Sequence, residues 1–136
     1  MGTDTRSTFG GIAHLTGVTD YGSSGCYVNL TFTGLDPAKD YTFATSAARC
    51  ESTSNRLTIF TPTGPDIYVN ASTSGVDVLV PNSVRFDTGD NYSAGYVARR
   101  TGITAADGIF KVRTEADPAS DSGYKAYALD MFMLQE

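Results

Sequence analysis

Apolar and polar residues alternate in several short stretches of the chain, and this pattern predicts β-strands. The alternation is clearest in residues 26–33, 41–46 and 57–60. Successive side chains of a strand point to opposite faces, so each stretch is expected to bury one face and expose the other. The residues predicted to fill the core are Val28, Leu30, Phe32, Tyr41, Phe43, Leu57, Ile59, Val84, Phe86, Val97, Ile109, Val112, Leu129 and Phe132.

Turn residues separate these stretches from further short strands. The pair Asp36-Pro37 predicts a chain reversal before strand 41–46, and Asp107-Gly108 predicts a tight turn. Strands 41–46 and 57–60 are expected to form a hairpin across a polar loop. The remaining strands are predicted at 9–18, 67–70, 76–80, 83–88, 95–100, 109–115 and 124–134.

No stretch has a helical period, and short strands at this spacing are typical of a sandwich. We therefore predict an all-β fold, a two-sheet antiparallel β-sandwich with a jelly-roll-like arrangement of about eight or nine strands. A chain of 136 residues is long enough for one core, so residues 1–136 are expected to form a single domain. Residues 1–11 are expected to be a disordered or cloning-derived start.

Composition and charge narrow the classes of partner. The chain has a net charge of −5 and only ten Lys and Arg residues, so neither nucleic acid nor an anionic membrane is expected to bind it. No apolar run approaches the ~20 residues of a transmembrane helix, and no targeting segment is recognisable. Neutral or cationic partners fit this composition better.

Cys26 and Cys50 are the two cysteines of the chain. A bridge between them would stabilise the fold by roughly 3–4 kcal/mol if the geometry allowed it. The alternative is a buried, unbridged Cys26 on the strand 26–33. The sequence leaves both alternatives open.

Several strand and turn motifs resemble a known group of modules. They are Gly34-Leu35, Tyr41-Thr42-Phe43, Asn55-Arg56 and Asn70-Ala71-Ser72-Thr73, followed by SVRFDTG at 83–89, GYVAR at 95–99 and YALDMFML at 127–134. From about Val28 to the C-terminus the chain is similar to galactose-binding-like or carbohydrate-binding β-sandwich modules. The resemblance implies a non-catalytic appendage of a large secreted bacterial or environmental protein, with an extracellular or cell-surface location and neighbouring domains.

Carbohydrate binding needs flat apolar faces and fixed polar groups, which Tyr, Arg and Asn supply. Two tyrosines are predicted near loop tips, and the polar candidates lie beside the loops and strand ends. The predicted ligand-binding residues are Arg49, Asn55, Arg56, Tyr92, Arg99 and Tyr124. Each of them also has an ordinary structural interpretation, because Tyr is common in sheets and Arg is common on solvated strand faces.

A structural Ca²⁺ ion is a further hypothesis, since Ca²⁺ prefers carboxylate and carbonyl oxygens. Asp87 and Asp90 lie in a Gly-containing and Asn-containing loop, although such residues also favour any turn. The resemblance adds Asp130 near the C-terminus as a third possible ligand. Alternation alone instead places Asp130 on the solvent side of its strand.

Catalytic signatures are weak in this sequence. His14 is the one histidine, no Gly-x-Ser-x-Gly elbow is present, and carboxylates such as Glu51 are too common to indicate a glycosidase. The leading hypothesis is a non-catalytic module that binds a glycan or polysaccharide or tethers a larger protein to a surface. The alternatives are a structural or assembly module, such as a virion decoration or surface-layer domain, and a small hydrolase.

Overall fold

The computed structural model describes residues 2–10, 20–21, 26–48, 54–79, 82–121, 126–127 and 130–136. Most of these residues form strands, as the alternation of apolar and polar residues within short stretches predicts. The elements are α1 (Thr3–Phe9), β1 (Asp20–Tyr21), β2 (Tyr27–Phe32), β3 (Tyr41–Ser46), β4 (Leu57–Thr63), β5 (Ile67–Asn70), β6 (Asp77–Leu79), β7 (Ser83–Asp87), α2 (Asn91–Ala94), β8 (Ala98–Thr104), β9 (Phe110–Ala116), β10 (Ala126–Tyr127) and β11 (Met131–Gln135).

Nine of the described strands form two antiparallel sheets that face each other. The four-stranded sheet has the order β11-β3-β8-β5, and the five-stranded sheet has the order β2-β9-β4-β7-β6. The short strands β1 and β10 pair separately. The predicted all-β, two-sheet antiparallel sandwich is confirmed.

The predicted hairpin between strands 41–46 and 57–60 is wrong. β3 pairs with β11 and β8 in the four-stranded sheet, whereas β4 pairs with β9 and β7 in the five-stranded sheet. The loop between them is long enough to carry the chain from one sheet to the other, so sequence proximity did not decide the pairing. The Asp107-Gly108 turn is present and also connects the two sheets, from β8 to β9.

The core lies between the two sheets in two clusters of buried side chains. One cluster contains Tyr41, Phe43 and Ile103 from the four-stranded sheet, packed against Phe110 and Val112. The other cluster contains Phe60, Val84, Phe86 and Ala98. The rings of Phe60 and Phe86 are stacked, with centroids 4.9 Å apart.

The predicted inward face of β4 is the opposite of the observed one. Thr58, Phe60 and Pro62 are buried, whereas Leu57 and Ile59 are half-buried on the other face. Alternation alone favours Leu57 and Ile59 as the buried pair, because both are apolar, and it assigns the polar Thr58 to solvent. Inside the sandwich the Thr58 hydroxyl is satisfied by the hydroxyl of Thr88 at 2.9 Å.

Other predicted core residues lie at the margins. Ile109 is 37% exposed and Phe132 is 50% exposed, because the first precedes β9 at a turn and the second lies on the edge strand β11. Val28, Leu30 and Phe32 are half-buried on the edge strand β2. Leu129 lies outside the described residues.

The N-terminal segment contains a helix that the alternation pattern does not predict. α1 buries Phe9, which is 1% exposed and packs with Ala44, Val97 and Met131 on the outer side of the four-stranded sheet. One buried aromatic in seven residues is too short a pattern to show a helical period. Of the strand predicted at 9–18, residue 9 ends this helix and residues 11–18 lie outside the described part of the chain.

Cys26 and the last strand differ from expectation. Cys26 is exposed, so the alternative of a buried Cys26 is wrong. Cys50 lies outside the described residues, so the alternative of a Cys26–Cys50 bridge is not tested. The long strand predicted at 124–134 is represented by β10 and β11, with Asp130 immediately before β11. No helix among the described residues is long and apolar enough to cross a bilayer.

Candidate ligand-binding face

The outer side of the five-stranded sheet is a broad polar surface, which we call the outer face. Its side chains alternate along each strand with the core residues, so the pleat directs them away from the sandwich. Pairing places Tyr27, Glu115, Ile59, Arg85 and Asp77 in one row across the five strands. The neighbouring row contains Asn29, Arg113, Thr61 and Ser83.

One end of the outer face carries an exposed aromatic ring with a fixed cation. Tyr27 is 51% exposed, and the guanidinium carbon of Arg113 lies 3.9 Å from the centroid of its ring. Arg113 also donates from Nη2 and Nε to Glu115 Oε2 at 2.7 and 3.2 Å. The ring and the ion pair therefore hold each other in place, because the cation is attracted to both the carboxylate and the ring face.

The opposite end of the same row is held by a second arginine. Arg85 donates to Asp77 Oδ2 at 2.8 Å and to Asp117 Oδ2 at 3.0 Å. Hydrogen bonds to Asp77 and then to Asp117 raise the pKa of Arg85 above its usual value. Between the two arginines, the hydroxyls of Thr61 and Ser83 lie 2.7 Å apart. The outer face thus offers donors and acceptors at defined positions.

A shallow hollow adjoins the outer face near the β8–β9 turn. It has a volume of about 320 Å³ and is lined in part by Thr63 and Lys111, which continue the rows of the outer face, and by Ile109 and Asp107. Asp107 Oδ1 accepts the backbone N–H of Ile109 at 2.9 Å, which fixes the turn.

Comparison of the chain with protein-family models, with curated proteins and with solved structures gave no match. The resemblance to galactose-binding-like modules therefore stays a prediction. The function is therefore inferred from the arrangement of the chain's own residues.

Three of the predicted site residues lie together at the start of β4 and the end of β7. The backbone N–H of Arg56 donates to Asp87 Oδ1 at 2.9 Å, and Arg56 follows Asn55 directly. Arg56 is only 7% exposed, and its Nη1 donates to the carbonyl of Asp121 at 3.0 Å. In this position Arg56 links the loop before β4 to the loop after β9.

The other predicted ligand-binding residues are dispersed. Tyr92 lies on α2 and is 38% exposed, and its carbonyl accepts the N–H of Gly2 at 2.7 Å. Arg99 lies on β8 in the other sheet, where its Nη2 donates to the Thr8 hydroxyl at 2.8 Å. Arg49 and Tyr124 lie outside the described residues.

The carboxylates predicted to bind Ca²⁺ have protein donors in this structure. Asp87 Oδ1 also accepts the N–H of Gly89 at 2.7 Å, and Asp130 Oδ2 accepts the N–H of Ala48 at 2.7 Å. Asp90 is exposed, and its Oδ1 accepts the Ser93 hydroxyl at 3.3 Å. Within the described ranges, no group of three or more His, Cys, Asp or Glu residues is arranged to hold a metal. Calcium binding stays a prediction.

The residues of the outer face were not singled out by sequence reasoning. The alternation in 26–33 already places Tyr27 and Asn29 opposite the core set, but it does not distinguish a binding surface from a solvated face. The missing information was the strand order. Only the pairing of β2 with β9 brings Tyr27 next to Glu115 and Arg113.

Proposed function

We propose that the chain is a non-catalytic module that binds a glycan and tethers a larger extracellular protein to it, with the outer face as the binding surface. The observation that carries the proposal is the exposed ring of Tyr27, held in place by Arg113 and Glu115. A fixed aromatic ring beside hydrogen-bonding groups is suited to a sugar, which presents C–H surfaces and hydroxyls together.

The charges of the outer face favour a neutral polysaccharide. Arg113 is paired with Glu115, and Arg85 is paired with Asp77 and Asp117. Each arginine is therefore neutralised locally while N–H groups and carboxylate oxygens remain at the surface. A hydroxyl-rich chain can bond to both without needing a charge of its own, and the net charge of −5 disfavours an acidic polymer.

Affinity gel electrophoresis in a panel of neutral and cationic polysaccharides tests this proposal. We expect retardation of the native chain by at least one neutral polymer. Tyr27→Ala should weaken binding by about 3-fold to 10-fold, since an aromatic contact contributes about 0.5–1.5 kcal/mol beyond buried area. Tyr92→Ala is the matched control, because it removes another exposed tyrosine away from the outer face and should leave binding unchanged.

Two results would contradict the proposal. If no polymer binds the chain at millimolar sugar, the proposal that it binds a glycan is wrong. Binding that is lost in Tyr92→Ala and kept in Tyr27→Ala would instead place the site at the α2 end of the molecule, where Tyr92 lies.

An assembly module is a second candidate function, and the edges of the sheets support it. Ile67 and Val69 on the edge strand β5 are 64% and 62% exposed, and Val78 on the edge strand β6 is 66% exposed. Edge strands with exposed β-branched residues favour pairing with another chain. Stable trimers or rings in light scattering, lost in Val69→Lys, would support this function, and a monodisperse monomer would count against it.

A further inference from the structure

The outer face carries two arginine–carboxylate pairs with similar chemistry. In the first pair, Arg113 on β9 donates from Nη2 and Nε to Glu115 Oε2. In the second pair, Arg85 on β7 donates from Nη2 and Nε to Asp77 Oδ2 on β6. A guanidinium has five N–H donors, and within the described part of the chain these bonds use only one oxygen of each carboxylate. Each pair therefore keeps donors and an acceptor for a ligand hydroxyl.

The two pairs lie on alternate strands of the five-stranded sheet. Glu115 is directly opposite Ile59, and Ile59 is directly opposite Arg85. The strand β4 therefore separates the pairs, and two strand spacings of ~4.8 Å place them about 10 Å apart. Ile59 is half-buried between them, so the surface that joins the two pairs is apolar.

Both ends of this row lie on edge strands of the sheet. Tyr27 is on β2 and Asp77 is on β6. Four strand spacings separate these two strands, which gives the row a length of about 19 Å. A ligand that follows the row meets no further strand of this sheet at either end. A single sugar, in contrast, is too short to contact both arginine–carboxylate pairs.

A straight, unbranched polysaccharide fits these positions. In a β-1,4-linked chain of glucose or mannose, each unit is turned over relative to the unit before it. The same edge of the sugar therefore returns at every second unit, and this repeat is close to the spacing of the two pairs. A coiled α-1,4-linked chain curves away from a straight row, so it contacts only one pair at a time.

We infer that the outer face binds internal units of an extended β-1,4-linked neutral polysaccharide, which lies across the strands from Tyr27 to Asp77. Hydroxyls of alternate units bond to the Arg113–Glu115 pair and to the Arg85–Asp77 pair, and the unit at the β2 edge contacts the ring of Tyr27. This inference rests on the proposed function. It adds the shape of the polymer, its direction on the sheet and a second contact site.

Isothermal titration calorimetry with cello-oligosaccharides and manno-oligosaccharides, from disaccharide to hexasaccharide, tests the inference. In at least one of the two series, the Kd should fall by about 3-fold to 10-fold between the disaccharide and the tetrasaccharide, because only the longer ligand bonds to both pairs. Beyond the length of the row the Kd should change by less than about 2-fold. Malto-oligosaccharides, which are coiled, should show no such gain with length.

Asp77→Ala tests the second pair directly. The Asp77 side chain is 57% exposed, and Arg85 keeps its bond to Asp117 in this variant. Tetrasaccharide binding should weaken by about 3-fold to 10-fold, and disaccharide binding at Tyr27 should stay unchanged. Asp90→Ala is the matched control, because it removes an exposed carboxylate beside α2 and makes the same change in net charge. It should leave both affinities unchanged.

The outcomes separate this inference from the proposed function. If binding depends on Tyr27 but the tetrasaccharide and the disaccharide have equal Kd values in both β-1,4-linked series, the inference is wrong and the proposed function stands. The same conclusion follows if Asp77→Ala leaves the tetrasaccharide Kd unchanged, or if only malto-oligosaccharides bind. If Asp77→Ala does not fold, the length series with the native chain decides the question. If no polysaccharide or oligosaccharide binds, both the proposed function and this inference are wrong.

Discussion

Replacing Phe60 by alanine should destabilise the domain by about 3–5 kcal/mol, the cost of removing a fully buried phenylalanine. Phe60 is 2% exposed and packs with Val84, Phe86 and Ala98 in one of the two core clusters. Its stacked contact with Phe86 accounts for about 0.5–1.5 kcal/mol of this value. Against a total stability of about 5–15 kcal/mol for a natural domain, the variant should be marginal.

Ile59→Ala is the matched comparison, because it removes the neighbouring apolar residue of the same strand. Ile59 is half-buried on the outer side of β4, so its loss should cost about 1–2 kcal/mol, well below the 2–5 kcal/mol of a fully buried isoleucine. The strand and its pairing are common to both variants. The difference between them therefore reports which face of β4 points into the core.

Urea unfolding followed by circular dichroism measures both variants. With an m-value of about 2 kcal/mol/M, the midpoint should fall by about 2 M for Phe60→Ala and by less than about 1 M for Ile59→Ala. The m-values should stay equal, since the folded state exposes the same surface. A larger loss for Ile59→Ala than for Phe60→Ala would refute the register of β4 described above.

Three further measurements examine the turns, the α2 end and the metal hypothesis. Gly75→Ala should lower the Tm clearly more than Gly102→Ala, because both glycines have positive φ but only a Cβ at Gly75 would meet Tyr96, 2.6 Å from its ring; equal losses would argue against this packing. Asn91→Ala should cost about 2–4 kcal/mol in urea unfolding, since the buried amide bonds to the Ser46 hydroxyl and to two carbonyls; a loss below about 1 kcal/mol would contradict it. If the predicted Ca²⁺ binds, calcium at ~100 times its Kd should stabilise the fold by about 2.7 kcal/mol relative to chelator, and superimposed melts would remove the carboxylates from the metal hypothesis.

Local structure follows closely from the sequence where it depends on neighbouring residues. Strands 41–46 and 67–70 have the predicted bounds. The Asp36 side chain accepts the N–H of Ala38 at 2.9 Å, as the Asp-Pro turn signal predicts. These features depend on period-two alternation and on turn-forming residues, and a few consecutive residues determine both.

The tertiary structure decides which strands pair and which side of each strand points into the core. β3 and β4 were expected to pair because they are successive, yet each finds its partners among distant strands. The inward face of β4 carries Thr58, which alternation assigns to solvent, because the hydroxyl of Thr88 satisfies it inside. A local pattern contains no information about such a distant partner.

The candidate binding face also depends on contacts between residues that are far apart in the chain. The alternation directs Tyr27 outward, but only the adjacency of β2 and β9 places Arg113 against its ring. Arg100 follows Arg99 in a strand, and the pleat sends one into the core and the other to Thr8. Sequence determines strand identity and alternation over a few residues. Burial and site geometry depend on contacts between residues far apart in the chain, and only the packed sheets establish them.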